Sequence, residues 1–233
     1  MNLDDGRQRL IVALDVPDSR AALELDRRLG DEVLWVKVGL ELFTAAGPPI
    51  VETLRAKGRR VFLDLKLHDI PNTVAGAVRN ASRLGAELLT LHAEGGPAMM
   101  RAAAEARADT SMNLLAVTVL TSLDGSEYPD VYQAAIPDRV LAFAEAAIEA
   151  GMNGVVASPT ELATLVPFVP SNFLRVIPGI RPANAPAHDQ SRVATPRAAL
   201  IAGATHLVIG RPITQASDPA QAAHAILEEM AGN

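Results

Sequence analysis

An eight-stranded parallel β/α barrel is the fold class predicted by this sequence of 233 residues, on three observations. Short runs rich in Val, Leu and Ile recur eight times along the chain. The segments between them are rich in Ala with helical spacing, and the apolar runs lack the alternation of a sheet wetted on one face. Eight such units in a chain of this length close more naturally into a barrel than they spread into an open doubly wound sheet, which is the alternative. The expected organisation is one catalytic barrel domain over residues 1–233.

The strands are read, in order, at RLIVALDV (Arg9 to Val16), VLWVKVG (Val33 to Gly39), RVFLDLK (Arg60 to Lys66) and AELLTLHA (Ala86 to Ala93). The second half of the chain supplies LLAVTVLT (Leu114 to Thr121), NGVVAS (Asn153 to Ser158), LRVIPGI (Leu174 to Ile180) and HLVIGR (His206 to Arg211). Helices lie between them. SRAALELDRRLG takes Ser19 as its N-cap and ends at Gly30, and PDRVLAFAEAAIEAG is closed by Gly151. The long connection is PANAPAHDQSRVATP, Pro182 to Pro196, after the seventh strand. A loop of that length on the face where barrel active sites lie points to function.

Composition narrows the function classes. The net charge of -6 argues against a nucleic-acid partner, and 3% aromatic residues leave no ladder of rings on which bases could stack. Without cysteine there is no disulfide framework, thiolate nucleophile or sulfur-ligated zinc. The opening MNLDDGRQRL is polar and acidic, and no apolar run approaches a membrane span. A cytoplasmic protein with no membrane partner is expected.

Barrel strands bury both faces, so a charge within one needs a reason. Asp15, Lys37, Asp64, Lys66, His92 and Arg211 all fall near C-terminal strand ends, the catalytic rim of this architecture. The densest segment is VFLDLKLHDIPNT, Val61 to Thr73. Asp64 and Lys66 are two apart and project from one face of the third strand, while Asp69 lies beyond the strand end and reaches either this site or a neighbouring subunit's. A rim salt bridge is the plain structural alternative, but desolvating an ion pair is a poor route to stability. Carboxylates around Lys66 favour its protonated form, which suits a proton donor rather than a nucleophilic amine.

Arg181 in IPGIRP and Gly210 with Arg211 in VIGRPIT follow the seventh and eighth strands, where barrels commonly bind phosphate. A phosphorylated substrate is expected. Gln190, in the long loop, is suited to donate to a phosphate oxygen, and Thr121 with Ser122 offers hydroxyls to a polar ring edge or simply forms a turn. His68, His92 and Glu94 could join Asp64 in a metal site, but tight ligand spacing is lacking, and no metal is expected.

The segments IVALDV, VKVGLELF, FLDLKLHDIPNTV, LHAEGG, LTSL, IPGIRP with DQSRVATP, and VIGRPIT together resemble bacterial orotidine 5'-phosphate decarboxylases, in order and over nearly the whole chain. The resemblance implies a homodimeric barrel that releases carbon dioxide from orotidine 5'-phosphate without cofactor or metal. It implies that Asp15 and Lys37 bind ribose hydroxyls, that Asp64 sits beside the departing carboxylate, and that Lys66 donates the proton. Asp69 and Thr73 would enter the partner subunit's site. Thr121 and Ser122 would meet the pyrimidine edge, and Arg181, Gln190, Gly210 and Arg211 the phosphate. The rivals are magnesium-dependent sugar-phosphate enzymes on the same scaffold, such as hexulose-phosphate synthase, and a binding barrel without turnover.

Overall fold

The computed structural model describes residues 1–107, 110–123, 135–182 and 194–232. Its eight strands form a closed parallel barrel in sequence order, with β1 (Leu10–Ala13) pairing both β2 (Trp35–Gly39) and β8 (His206–Ile209). Between these lie β3 (Arg60–Leu67), β4 (Leu88–His92), β5 (Asn113–Val117), β6 (Gly154–Val156) and β7 (Leu174–Ile177). All eight predicted strands are present, and the open sheet is excluded by closure. Several end earlier than the sequence suggests. β1 stops at Ala13 rather than Val16, β5 at Val117 rather than Thr121, and β8 at Ile209 rather than Arg211, because the residues beyond leave the ladder to line the mouth.

Helices flank the strands on the outside. The helix Ser19–Leu29 is capped by Asp18, whose side chain accepts from the Ala21 N–H at 2.8 Å, so Ser19 is its first residue and not its cap. A carboxylate at that position meets the positive helix end more strongly than a hydroxyl does. The helix Ile136–Glu149 runs to Ala150 and is followed by Gly151 at φ 80°, the left-handed position for which glycine suits a helix end. Among the described residues no helix is long and apolar enough to cross a membrane.

The core has two compartments. The larger lies between barrel and helices and includes Val12, Val36, Val38, Leu63, Leu89 and Leu91. The smaller fills the barrel with Ile11, Ala13, Trp35, Phe62, Leu88, Leu115, Val176 and Val208. At the N-terminal end of the barrel Arg60 lies 4.0 Å over the Trp35 ring and bonds Glu87 at 2.6 Å. His206 meets the same ring edge-on at 5.8 Å, and burial, then Arg60 and Arg9, lowers its imidazole to about 4. The floor of the barrel is therefore packed, and access is from the C-terminal end.

Candidate active site

On three adjacent strands the inward positions change character within one step of the pleat. Trp35 is followed by Lys37, Phe62 by Asp64, and Leu88 by Thr90, so a polar layer stands directly on the apolar one. Lys37, Asp64 and Thr90 are buried, and the open mouth above them is a cavity of about 530 Å³.

Asp64 is the centre of the polar layer. Its two oxygens accept from Lys66 Nζ at 2.9 and 2.8 Å, Oδ1 also accepts from Thr90 Oγ1 at 2.8 Å, and Oδ2 lies 3.5 Å from Lys37 Nζ. Lys37 in turn donates to Asp15 Oδ1 at 2.9 Å. Burial alone would push the Asp64 carboxyl up, but the charges of Lys37 and Lys66 and the bonds from Lys66 and Thr90 hold it below the ordinary carboxylate range. Burial would likewise lower the Lys37 ammonium, and Asp64 with Asp15 more than offsets it, so its value is raised. The result is an alternating array Asp15, Lys37, Asp64, Lys66.

The backbone explains how Lys66 reaches this array. Leu63 pairs with Leu89 and Leu67 with Leu91, so Asp64, Leu65 and Lys66 face only Thr90 across the ladder. Lys66 takes φ 48° at this bulge, the only positive value at a non-glycine residue among the described residues. Its N–H donates to Thr90 Oγ1 at 2.9 Å. Gly39 matters for a different reason: a Cβ there would stand 2.9 Å from Lys37 Nζ and 3.3 Å from Asp15 Oδ1, so a larger residue would crowd the pair.

The other half of the mouth is apolar up to its rim, with Val117, Val119, Val156 and Val208 on the walls. Beyond the strands come Thr121, Pro178, Gly179, Arg181, Gly210, Arg211, Thr214 and Gln215. Arg181 is buried and donates to the Ile180 carbonyl at 2.8 Å, while burial and then the neighbouring charge of Arg211 lower its guanidinium. Two cations crowded at one rim favour an anion between them. Ile180 also bridges to Ala194 in parallel, which joins the two ends of the long connection.

The structure thus gathers Asp15, Lys37, Asp64, Lys66, Thr121, Arg181, Gly210 and Arg211 around one cavity. Ser122 is exposed and outside the lining, and Gln190 falls outside the described residues. Asp69 and Thr73 are exposed; Asp69 accepts from the Ile70 N–H at 2.6 Å and borders a separate open depression with His68 and Glu94. His92 packs 5.5 Å from His68, and among the described residues no three His, Asp or Glu side chains are placed to hold a metal ion. Thr90, Thr214 and Gln215 are contributors that the sequence reading missed. Only Thr90 carried a signal, as the one polar residue within the apolar run LLTL.

Comparison with known proteins agrees with this geometry. Residues 8–226 match the orotidine 5'-phosphate decarboxylase / HUMPS family. An orotidine 5'-phosphate decarboxylase of Rhodopseudomonas palustris is 50% identical over 97% of this chain and 95% of its own, and that of Halorhodospira halophila is 51% identical over 97% of each. The crystal structure of the Lactobacillus acidophilus orotidine 5'-phosphate decarboxylase superposes with a TM-score of 0.84 at 38% identity, covering 95% of this chain and 98% of that one. A family match across nearly the whole barrel, shared with relatives at half identity, establishes that the chain belongs to the orotidine 5'-phosphate decarboxylase / HUMPS family.

Proposed function

We propose that the chain converts orotidine 5'-phosphate to uridine 5'-phosphate and carbon dioxide, the last step of de novo pyrimidine synthesis, with Lys66 as the proton donor. The observation that carries this reading is the Asp15, Lys37, Asp64, Lys66 array at the base of a cavity whose far rim bears Arg181 and Arg211. The bond from C6 of the pyrimidine to its carboxylate breaks, carbon dioxide leaves neutral, and the electron pair stays on C6. That pair lies in an orbital the ring cannot delocalise well. An ammonium fixed beside C6 stabilises it and then transfers its proton there, after which water reprotonates the amine.

Asp64 holds that ammonium before substrate arrives, so little reorganisation is left to the reaction itself. Asp15 and Lys37 are assigned to the ribose hydroxyls, Thr121 and Ser122 to the pyrimidine edge, and Arg181, Gln190, Gly210 and Arg211 to the phosphate. Asp69 and Thr73 are assigned to the site of a second subunit in a homodimer, a reading supported by their exposure outside the cavity. The catalytic unit is residues 1–233 as one domain in the cytoplasm, and the reaction is assigned no cofactor and no metal.

The test is the ultraviolet absorbance of orotidine 5'-phosphate mixed with EDTA-treated protein, since loss of the conjugated carboxylate changes the pyrimidine spectrum. Conversion to uridine 5'-phosphate is expected. A folded, dimeric sample without conversion, but with magnesium-dependent turnover of a sugar phosphate, overturns the reading.

A further inference from the structure

Thr90 is fully buried on β4, at the point where β3 bulges, and it does not line the cavity. A bulge removes backbone groups from the ladder, and a buried N–H needs another acceptor. Thr90 Oγ1 is that acceptor for Lys66, at 2.9 Å. The same hydroxyl lies 2.8 Å from Asp64 Oδ1. A backbone N–H only donates and a carboxylate only accepts, so the single hydroxyl proton is directed to Asp64. One side chain therefore joins the backbone of Lys66 to the carboxylate that holds the Lys66 ammonium. Lys66 also sits at φ 48°, a conformation unfavourable for a residue with a Cβ, which persists only where surrounding contacts impose it.

We propose that Thr90 is a positioning residue: its hydroxyl locks the left-handed Lys66 backbone and the Asp64 carboxylate into one unit, and so fixes where the ammonium stands. The inference rests on the decarboxylase reading for its catalytic consequence, and on geometry alone for the lock. Valine at this position fills nearly the same space, keeps the branched Cβ suited to a strand, and offers neither bond.

The experiment compares Thr90→Val and Thr90→Ser with the wild-type chain in kcat, KM, uridine 5'-phosphate affinity and hydrogen exchange at the Lys66 amide. Thr90→Val is expected to lower kcat by about 10- to 100-fold, the scale set by a small misplacement of a reacting group. KM and product affinity should stay within about threefold, since binding elsewhere is untouched, and Thr90→Ser should restore kcat to within about threefold of wild type. The Lys66 amide should be protected in the wild type and Thr90→Ser and exchange faster in Thr90→Val. If Thr90→Val does not fold, Thr90→Ser against Thr90→Ala carries the same contrast of hydroxyl with none. An unchanged kcat in Thr90→Val, or a loss that serine does not restore, overturns the positioning role. A wild-type chain without turnover overturns the functional reading instead, while a fast-exchanging Lys66 amide in the wild type overturns the lock whatever the turnover.

Discussion

From β2 to β4 the inward positions turn from Trp35, Phe62 and Leu88 to Lys37, Asp64 and Thr90, whereas from β5 to β8 Val117, Val156 and Val208 keep the cavity apolar up to the rim. Lys37 and Asp64 of the first half are buried, and with Asp15 and Lys66 they are already paired with one another. Those of the second half lie past the strand ends, where Arg211 makes Arg181 less comfortable as a cation. The difference separates two tasks. Groups of the first half are held in place by one another before any ligand arrives, whereas at the rim of the second two like charges meet.

The sharpest way to break this division is Lys66→Ala. Turnover should fall by at least about 10⁴-fold, since both the proposed proton donor and the charge assigned beside C6 are lost. Binding of uridine 5'-phosphate, measured by calorimetry, should remain, because the rim is untouched. Retained turnover would remove Lys66 from its role.

Asp64→Asn should cost both activity and stability, because it leaves Lys37 and Lys66 without their shared carboxylate. Removing one partner of a buried pair typically costs about 3–5 kcal/mol, which urea unfolding would register. Acid adds a second reading of the same residue. Asp64 has its value lowered on folding, so its stabilisation is present above the unfolded value of 3.8 and is lost only as pH falls below it. His206, lowered from 6.5 to about 4, loses its contribution across that earlier window. His206→Gln should therefore flatten the upper limb of the acid stability curve and leave the lower one, while Asp64→Asn should do the reverse.

The smallest change is expected from Arg211→Ala. Phosphate affinity should fall by about 10- to 100-fold, as for loss of a charge-assisted hydrogen bond, with kcat less affected. A loss of kcat as large as that expected for Lys66→Ala would mean that the rim acts on the bond as the floor does, and the contrast between the halves would fail.

Much of this was legible in the sequence for a physical reason. Charged residues have few structural uses at the end of an apolar strand, so Asp15, Lys37, Asp64, Lys66 and Arg211 stood out, and the eight apolar runs marked the strands themselves. Thr90, though the one polar residue of LLTL, is a weak signal, because threonine is an ordinary strand residue and its contacts depend on a bulge that no glycine or proline announces. Thr214 and Gln215 reach the cavity only through the short helix Arg211–Thr214 after β8, which spacing does not reveal. Asp18 and Ser19 are both good caps, and their order was settled by where the helix begins.

The bridge between Ile180 and Ala194 has a consequence for how such a protein can diversify. With the two ends of the connection clasped together beside Arg181, the barrel is largely insulated from how many residues lie between them. Closure cost grows by only about 0.6 kcal/mol for each doubling of length, so insertions and deletions between the clasped ends should be nearly neutral for folding. Length at this one point is a variable that descent can adjust without renegotiating the core.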